Sequence, residues 1–102
     1  MCFRKGGIMN RLKKTEMMAQ TYMQYGNSAG EGRAIEIDNY KEEMVNIFEK
    51  KLTSLTSRGA PLEYLDDCRT IIDIVNNSQD FRRAVDKINS ETNWRIIYTI
   101  RR

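Results

Sequence analysis

The residue types that carry out most small-enzyme chemistry are missing from this sequence or poorly spaced for it. The chain has 102 residues and no histidine, so it cannot form a Ser-His or Cys-His nucleophile, an imidazole general base or a His-ligated zinc site. The carboxylate pairs Glu42/Glu43 and Asp66/Asp67 are adjacent in sequence. Because helix neighbours point about 100° apart, neither pair converges on one proton or metal ion. We therefore predict a binding protein, not an enzyme, with no metal and no cofactor.

The candidate binding residues lie towards the C-terminus. If residues 79–101 form one helix, they carry a stripe of basic and aromatic side chains opposite the apolar residues Phe81, Val85 and Ile88. The stripe consists of Arg83, Lys87, Trp94, Tyr98 and Arg101. Aromatic rings stack on planar groups while Arg and Lys bind phosphates, so the stripe suits an anionic planar ligand. The same residue types anchor subunit interfaces, so the stripe also suits a homo-oligomer.

The apolar pattern predicts the elements that would position these residues: an all-α fold, a small antiparallel hairpin or bundle of three to four helices. Good helix formers predict a first helix over about residues 10–25. After the glycine-rich connector 26–32, a second helix is expected to begin at Asp38 as N-cap and run through Arg58. Gly59-Ala60-Pro61 then turns the chain into a third, antiparallel helix.

Two parts of this pattern leave alternatives open. Asn76-Asn77-Ser78 either ends the third helix or forms a polar kink within a longer one. The last apolar residues alternate as a strand would: Trp94, Ile96, Tyr98 and Ile100. Ile35 and Ile37 could supply a partner strand. The alternative to the all-α fold is therefore an α+β fold with a short C-terminal strand.

Composition and charge limit the classes of protein to which the chain could belong. With 40% hydrophobic and 30% charged residues, the chain is expected to form one domain with a modest core. The net charge is +3, and residues 1–14 and 95–102 carry bases without any acid, which leaves an acidic body with basic ends. Direct DNA or RNA binding is therefore the less expected function. No segment resembles a membrane span or a signal peptide, so we predict a cytoplasmic protein with no membrane partner.

The first residues suggest a different starting point for the natural chain. Lys5-Gly6-Gly7-Ile8-Met9 can be encoded as AAA GGA GGA ATT ATG, which is a bacterial ribosome-binding site followed by a start codon. We expect Met9 to be the true start, residues 1–8 to be a non-native leader, and residues 9–102 to form a single helical domain from a bacterium or phage. A genuine basic leader is the alternative.

One segment resembles a known family. Ala84-Val85-Asp86-Lys87-Ile88 is followed by Trp94, then by Ile97, Ile100 and a basic end. This resembles the closing helix in the hairpin domain of the phage anti-CBASS proteins, which sequester cyclic oligonucleotide signals. The resemblance implies a helical homo-oligomer with nucleotide pockets at or between subunits, which inhibits by binding without cleavage. Only Lys87 and Trp94 carry over by motif position.

These observations lead to two expectations about function. The first is a small phage or mobile-element protein that counters bacterial immunity by sequestering an anionic cyclic oligonucleotide in the host cytoplasm. The alternative is an anti-CRISPR or host-takeover inhibitor that binds a host nuclease or another defence protein directly. The segregated charge and the exposed aromatic residues also suit such a protein-binding surface.

Overall fold

The computed structural model describes residues 17–101, which form a three-stranded antiparallel sheet and three α-helices. In chain order, the elements are strand β1 (Met18–Tyr25), strand β2 (Glu31–Glu36), a 3-10 turn (Ile37–Asn39), helix α1 (Tyr40–Ser57), helix α2 (Leu62–Asn77), helix α3 (Phe81–Glu91) and strand β3 (Trp94–Arg101). The expected start at Met9, the leader 1–8 and the first part of the expected N-terminal helix lie outside the described residues.

The all-α prediction is wrong, and the α+β alternative is confirmed. Residues 18–25, expected in the first helix, form the central strand of the sheet. Its buried residues alternate along the chain: Ala19, Thr21, Met23 and Tyr25. This period of two places their side chains on one face of the sheet. Hydrogen bonding to a strand on each side outweighs the modest helix preference of Met, Ala and Gln.

The strand order is β2-β1-β3, and both pairs are antiparallel. Ala19 is paired with Ile35 on one side and with Ile100 on the other, while Tyr25 is paired with Trp94. The C-terminal strand does form, but its partner is β1. The segment that contains Ile35, which was expected to be its partner, is β2, and β2 pairs with the other edge of β1.

The helices cover one face of this sheet and enclose the core. The core combines residues from every helix and every strand of this part of the chain, and its largest fully buried side chains are Met23, Ile35, Met44, Phe48, Ile71 and Ile88. Helices α1 and α2 pack against each other as a hairpin, as the sequence predicts. Gly59, with φ of +69°, occupies the turn between them, where the left-handed conformation favours glycine.

The ends of the helices resolve one open question and correct one prediction. Helix α2 ends at Asn77, and the Ser78 hydroxyl donates to the Ile74 carbonyl at 2.6 Å, so the polar stretch ends the helix. Helix α3 begins at Phe81 and is capped by Asp80, whose side chain accepts a hydrogen bond from the Arg83 N–H at 2.8 Å. Asp38 lies in the 3-10 turn that precedes α1, so it is not the N-cap.

Candidate functional site

The predicted stripe does not form, because the helix that would carry it ends before Trp94. Arg83 and Lys87 are exposed on α3. Trp94 and Tyr98 point towards the core from the inner face of β3, whereas Arg101 alternates onto the outer face. The structure therefore distributes these five residues over different surfaces, and Trp94 is the member that lines a cavity.

That cavity has a volume of about 660 Å³ and lies between the β1–β2 hairpin and the C-terminal half of α1. We call it the basic pocket. Its apolar surface is formed by side chains of the sheet, of α1 and of α2: Met23, Tyr25, Trp94, Ile47, Leu55 and Tyr64. A volume of this size matches that of small-molecule sites in proteins, which are mostly apolar with a few polar groups.

Charged side chains surround this apolar surface with a strong excess of positive charge. The basic residues are Arg33 on β2, Lys50 and Lys51 on α1, and Arg58 at the end of α1, and Glu31 is the acidic residue that lines the pocket. A concave site with one dominant sign of charge concentrates ligands of the opposite sign. The basic pocket therefore favours an anion.

Glu31 holds two of these cations in place. Its carboxylate accepts hydrogen bonds from Arg33 Nη2 at 2.8 Å and from Lys51 Nζ at 3.0 Å. The hydrogen bond from Lys51 lowers the pKa of Glu31, since it stabilises the ionised carboxylate. Lys51 Nζ also lies 5.5 Å from the Trp94 ring centroid, within cation–π range.

The other two cations are not held by a carboxylate. Within residues 17–101, neither Lys50 nor Arg58 forms an ion pair, and Arg58 Nη2 donates only to the Ser54 hydroxyl at 3.4 Å. Both side chains are exposed. They are therefore free to meet an incoming anion without first breaking an internal salt bridge.

An aromatic cluster forms the floor of the basic pocket. The Tyr25 ring lies 4.3 Å from Tyr64 and 5.3 Å from Trp94, measured between centroids, and Phe48 packs edge-on against Trp94 at 5.1 Å. Trp94 is the single tryptophan of the chain. Its buried indole N–H has no hydrogen-bond partner in the described part of the chain. The indole is therefore a specific reporter of changes in this pocket.

A polar cluster beneath the floor fixes the elements that build it. The Tyr25 hydroxyl donates to Asp67 Oδ2 at 2.8 Å, and the backbone N–H and side-chain amide of Asn93 donate to the same oxygen at 3.1 and 3.2 Å. Burial raises the pKa of Tyr25 to about 12. Asp67, in the first half of α2, thus joins this helix to the end of β1 and to the residue before β3, which assigns it a structural role.

Sequence reasoning missed most of this site: Arg33, Lys50, Lys51, Arg58 and Tyr64. A signal was present in the helix, because Lys50, Ser54 and Arg58 recur every four residues and therefore share one face of α1. The contribution from Arg33 could not be found without the pairing of β1 and β2.

Comparison of the chain with protein-family models, with curated proteins and with solved structures gives no match. Residues 17–101 contain no group of three or more Cys, Asp and Glu side chains that could hold a metal ion. No helix in the same part of the chain is long and apolar enough to cross a membrane.

Proposed function

We propose that this is a non-enzymatic binding protein whose basic pocket sequesters a small anionic ligand with a planar base, of the nucleotide class. The observation that carries the proposal is the combination, among residues 17–101, of four cationic side chains and one carboxylate around an aromatic floor. Arg and Lys bind phosphate oxygens through charge-assisted hydrogen bonds. Tyr64, which is only partly buried, supplies aromatic surface for a base, and the largely buried Tyr25 and Trp94 supply the apolar floor beneath it.

The spacing of the free cations favours a ligand with more than one phosphate. Lys50 lies in α1, and Arg58 follows the last residue of this helix, eight positions later, which corresponds to about 12 Å along the helix axis. Lys50 and Arg58 can each bind a different phosphate without their side chains having to converge, and a cyclic di- or trinucleotide carries phosphates on opposite sides of its ring. Lys51 and Arg33 lie near Glu31, so a ligand phosphate there competes with that carboxylate.

We propose further that sequestration of a cyclic oligonucleotide signal in the bacterial cytoplasm is the biological role, as a phage or mobile-element countermeasure to host immunity. The resemblance of residues 84–94 to the anti-CBASS hairpin suggests the ligand class, but the closing helix that it implies does not form, because α3 ends at Glu91 and Trp94 begins β3. Of the two residues that match the anti-CBASS motif by position, Trp94 lines the basic pocket and Lys87 lies outside it. The proposal therefore rests on Trp94 and the cations of α1.

A thermal-shift screen of the full chain against cyclic di- and trinucleotides tests this function. A ligand that binds only the folded state adds about 2.7 kcal/mol at 100 times its Kd, which raises the Tm by several degrees in a domain of this size. A flat screen with well-folded protein would contradict the proposal. It would favour direct binding to a host nuclease or another defence protein, which a pull-down from bacterial lysate would identify.

Two matched variants locate the site. Lys50→Glu and Lys87→Glu make the same charge change at exposed helical lysines, but only Lys50 lines the basic pocket. We expect Lys50→Glu to abolish the ligand-induced shift and Lys87→Glu to retain it. The reverse result would place the ligand on α3 instead.

A further inference from the structure

Strand β3 is an edge of the sheet, and its backbone is only partly covered. In an antiparallel strand, the N–H and C=O groups of alternate residues point to opposite sides. Ile96 directs both groups away from β1, where the N–H donates to Asn89 Oδ1 at 2.7 Å and the C=O accepts from Asn89 Nδ2 at 2.9 Å. Tyr98 and Ile100 share this orientation, and nothing in residues 17–101 pairs with their outward groups.

We propose that the open half of β3 binds a second copy of this chain by antiparallel β3–β3 pairing, with a two-fold axis at Thr99. Tyr98 then lies opposite Ile100 of the partner subunit, and Ile100 lies opposite Tyr98 of the partner subunit. Each pair exchanges two backbone hydrogen bonds, which satisfies all the outward groups of these two residues. The two sheets join into one continuous six-stranded sheet.

The sequence of this half-strand is complementary to itself in that register. On the helix-covered side, both cross-strand pairs combine an aromatic with a β-branched side chain, a stabilising combination. On the outer side, Thr99 meets its own copy, and Ile97, which is 60% exposed, lies opposite Arg101 of the partner subunit. No like charges lie directly opposite each other, and exposed apolar surface at Ile97 and Ile100 is covered.

Asn89 restricts the possible registers. If the axis moved to Tyr98, Ile100 of the partner subunit would face Ile96, whose outward groups are already bound to the Asn89 amide. An axis at Ile97 would bring Tyr98 of the partner subunit against the same blocked residue. The amide therefore limits pairing to the C-terminal half of the strand, and an axis at Thr99 pairs the open residues Tyr98 and Ile100 of each copy with each other.

The opposite edge of the sheet is less suited to pairing. There the Glu43 carboxylate accepts from the Glu36 N–H, with 3.3 Å to each oxygen. The outward groups of Gly32 and Ala34 are flanked by small side chains that contribute little cross-strand packing. A second copy therefore gains more from β3 than from β2.

Sedimentation equilibrium of the full chain, from about 1 μM to about 1 mM, tests the proposal with two substitutions at Ile97. Both replace a side chain that is 60% exposed, so we expect both variants to fold, and circular dichroism checks this. Ile97→Glu places a carboxylate opposite Arg101 of the partner subunit, and we expect it to dimerise at least as tightly as wild type. Ile97→Lys creates a like-charge pair twice in the dimer, and we expect its dimer Kd to rise at least tenfold relative to Ile97→Glu.

A third variant removes the backbone pairing itself. Ile100→Pro deletes an outward N–H that makes no bond to β1, so the sheet within one subunit is preserved while pairing is lost. We expect a monomer with a wild-type circular dichroism spectrum. A wild-type protein that remains monomeric up to the highest concentration, or equal association of the two Ile97 variants, would overturn the proposal. Because these substitutions lie outside the basic pocket, neither result depends on whether that pocket binds a ligand.

Discussion

The side chain of Asn89 bonds to the backbone of Ile96 in the way that a neighbouring strand would. Its amide oxygen accepts from the Ile96 N–H at 2.7 Å, and its amide nitrogen donates to the Ile96 C=O at 2.9 Å. Asn89 lies in the third turn of α3, beside the edge of the sheet. A helix side chain thus terminates pairing on the N-terminal half of β3, which is a way of protecting an edge strand.

Replacing Asn89 with alanine should destabilise the fold and open this edge. Two hydrogen bonds are lost, each worth about 1 kcal/mol, so we expect a loss of about 1–2 kcal/mol in the free energy of unfolding, measured by urea denaturation. Asn89→Asp keeps the acceptor for the Ile96 N–H and should lose less. Equal stability of wild type and Asn89→Ala would show that the pair contributes nothing.

The sequence predicted those elements whose structure is set by local pattern. In α1 and α2, apolar residues recur at helical spacing, and the glycine- and proline-containing turn between them is visible directly. Strand β1 was not predicted, because residues 18–25 have little sequence preference against a helix and acquire their structure from pairing with β2 and with β3, about seventy residues later.

The same distinction applies to the candidate site. Trp94 lines the basic pocket, but it does so from the inner face of β3 and not on the helical stripe that the sequence predicts. Lys50 and Arg58 have the spacing of residues that share one side of a helix. The sequence alone does not distinguish a ligand-binding side from an ordinary solvated one. Only the packing of this face opposite the β1–β2 hairpin brings these cations to the aromatic floor.

Replacing Tyr25 with phenylalanine should weaken the polar cluster and change the alkaline stability. Asp67 loses one of its donors, so we expect a loss of about 1 kcal/mol near neutral pH. Since folding raises the pKa of Tyr25 from 10.0 to about 12, the unfolded state ionises first and wild-type stability falls as the pH rises through this interval. Tyr25→Phe should lack this part of the decline. Parallel alkaline slopes in urea denaturation would contradict the assignment.

Replacing Glu31 with glutamine should tighten the binding of an anionic ligand. The carboxylate competes for Lys51 and Arg33 and repels an incoming phosphate, so its neutralisation should lower the Kd about two- to tenfold. Isothermal titration with the cyclic nucleotide that gives the largest thermal shift measures this change. Asp66→Asn, which removes an exposed carboxylate outside the pocket, is the control and should leave the Kd unchanged. Weaker binding by Glu31→Gln would show that Glu31 positions the cations for the ligand instead of competing with it.

The N-cap of α3 provides a test of local stability. The Asp80 side chain accepts from the Arg83 N–H, and alanine at this position leaves that donor without its protein acceptor. We expect Asp80→Ala to lower the free energy of unfolding by about 1 kcal/mol and Asp80→Asn, which can still accept this bond, to lower it less. Thermal unfolding followed by circular dichroism distinguishes them, and identical midpoints for all three proteins would contradict the capping role.

The most direct test of the basic pocket is a titration of the full chain with cyclic di- and trinucleotides, followed by tryptophan fluorescence. Trp94 is the single tryptophan and lies in the pocket floor, 5.5 Å from Lys51 Nζ, so its emission reports this site. We predict a saturable change with at least one ligand, abolished by Lys50→Glu and retained by Lys87→Glu. Unchanged emission and no detectable binding across the panel, with folded protein, would contradict the account.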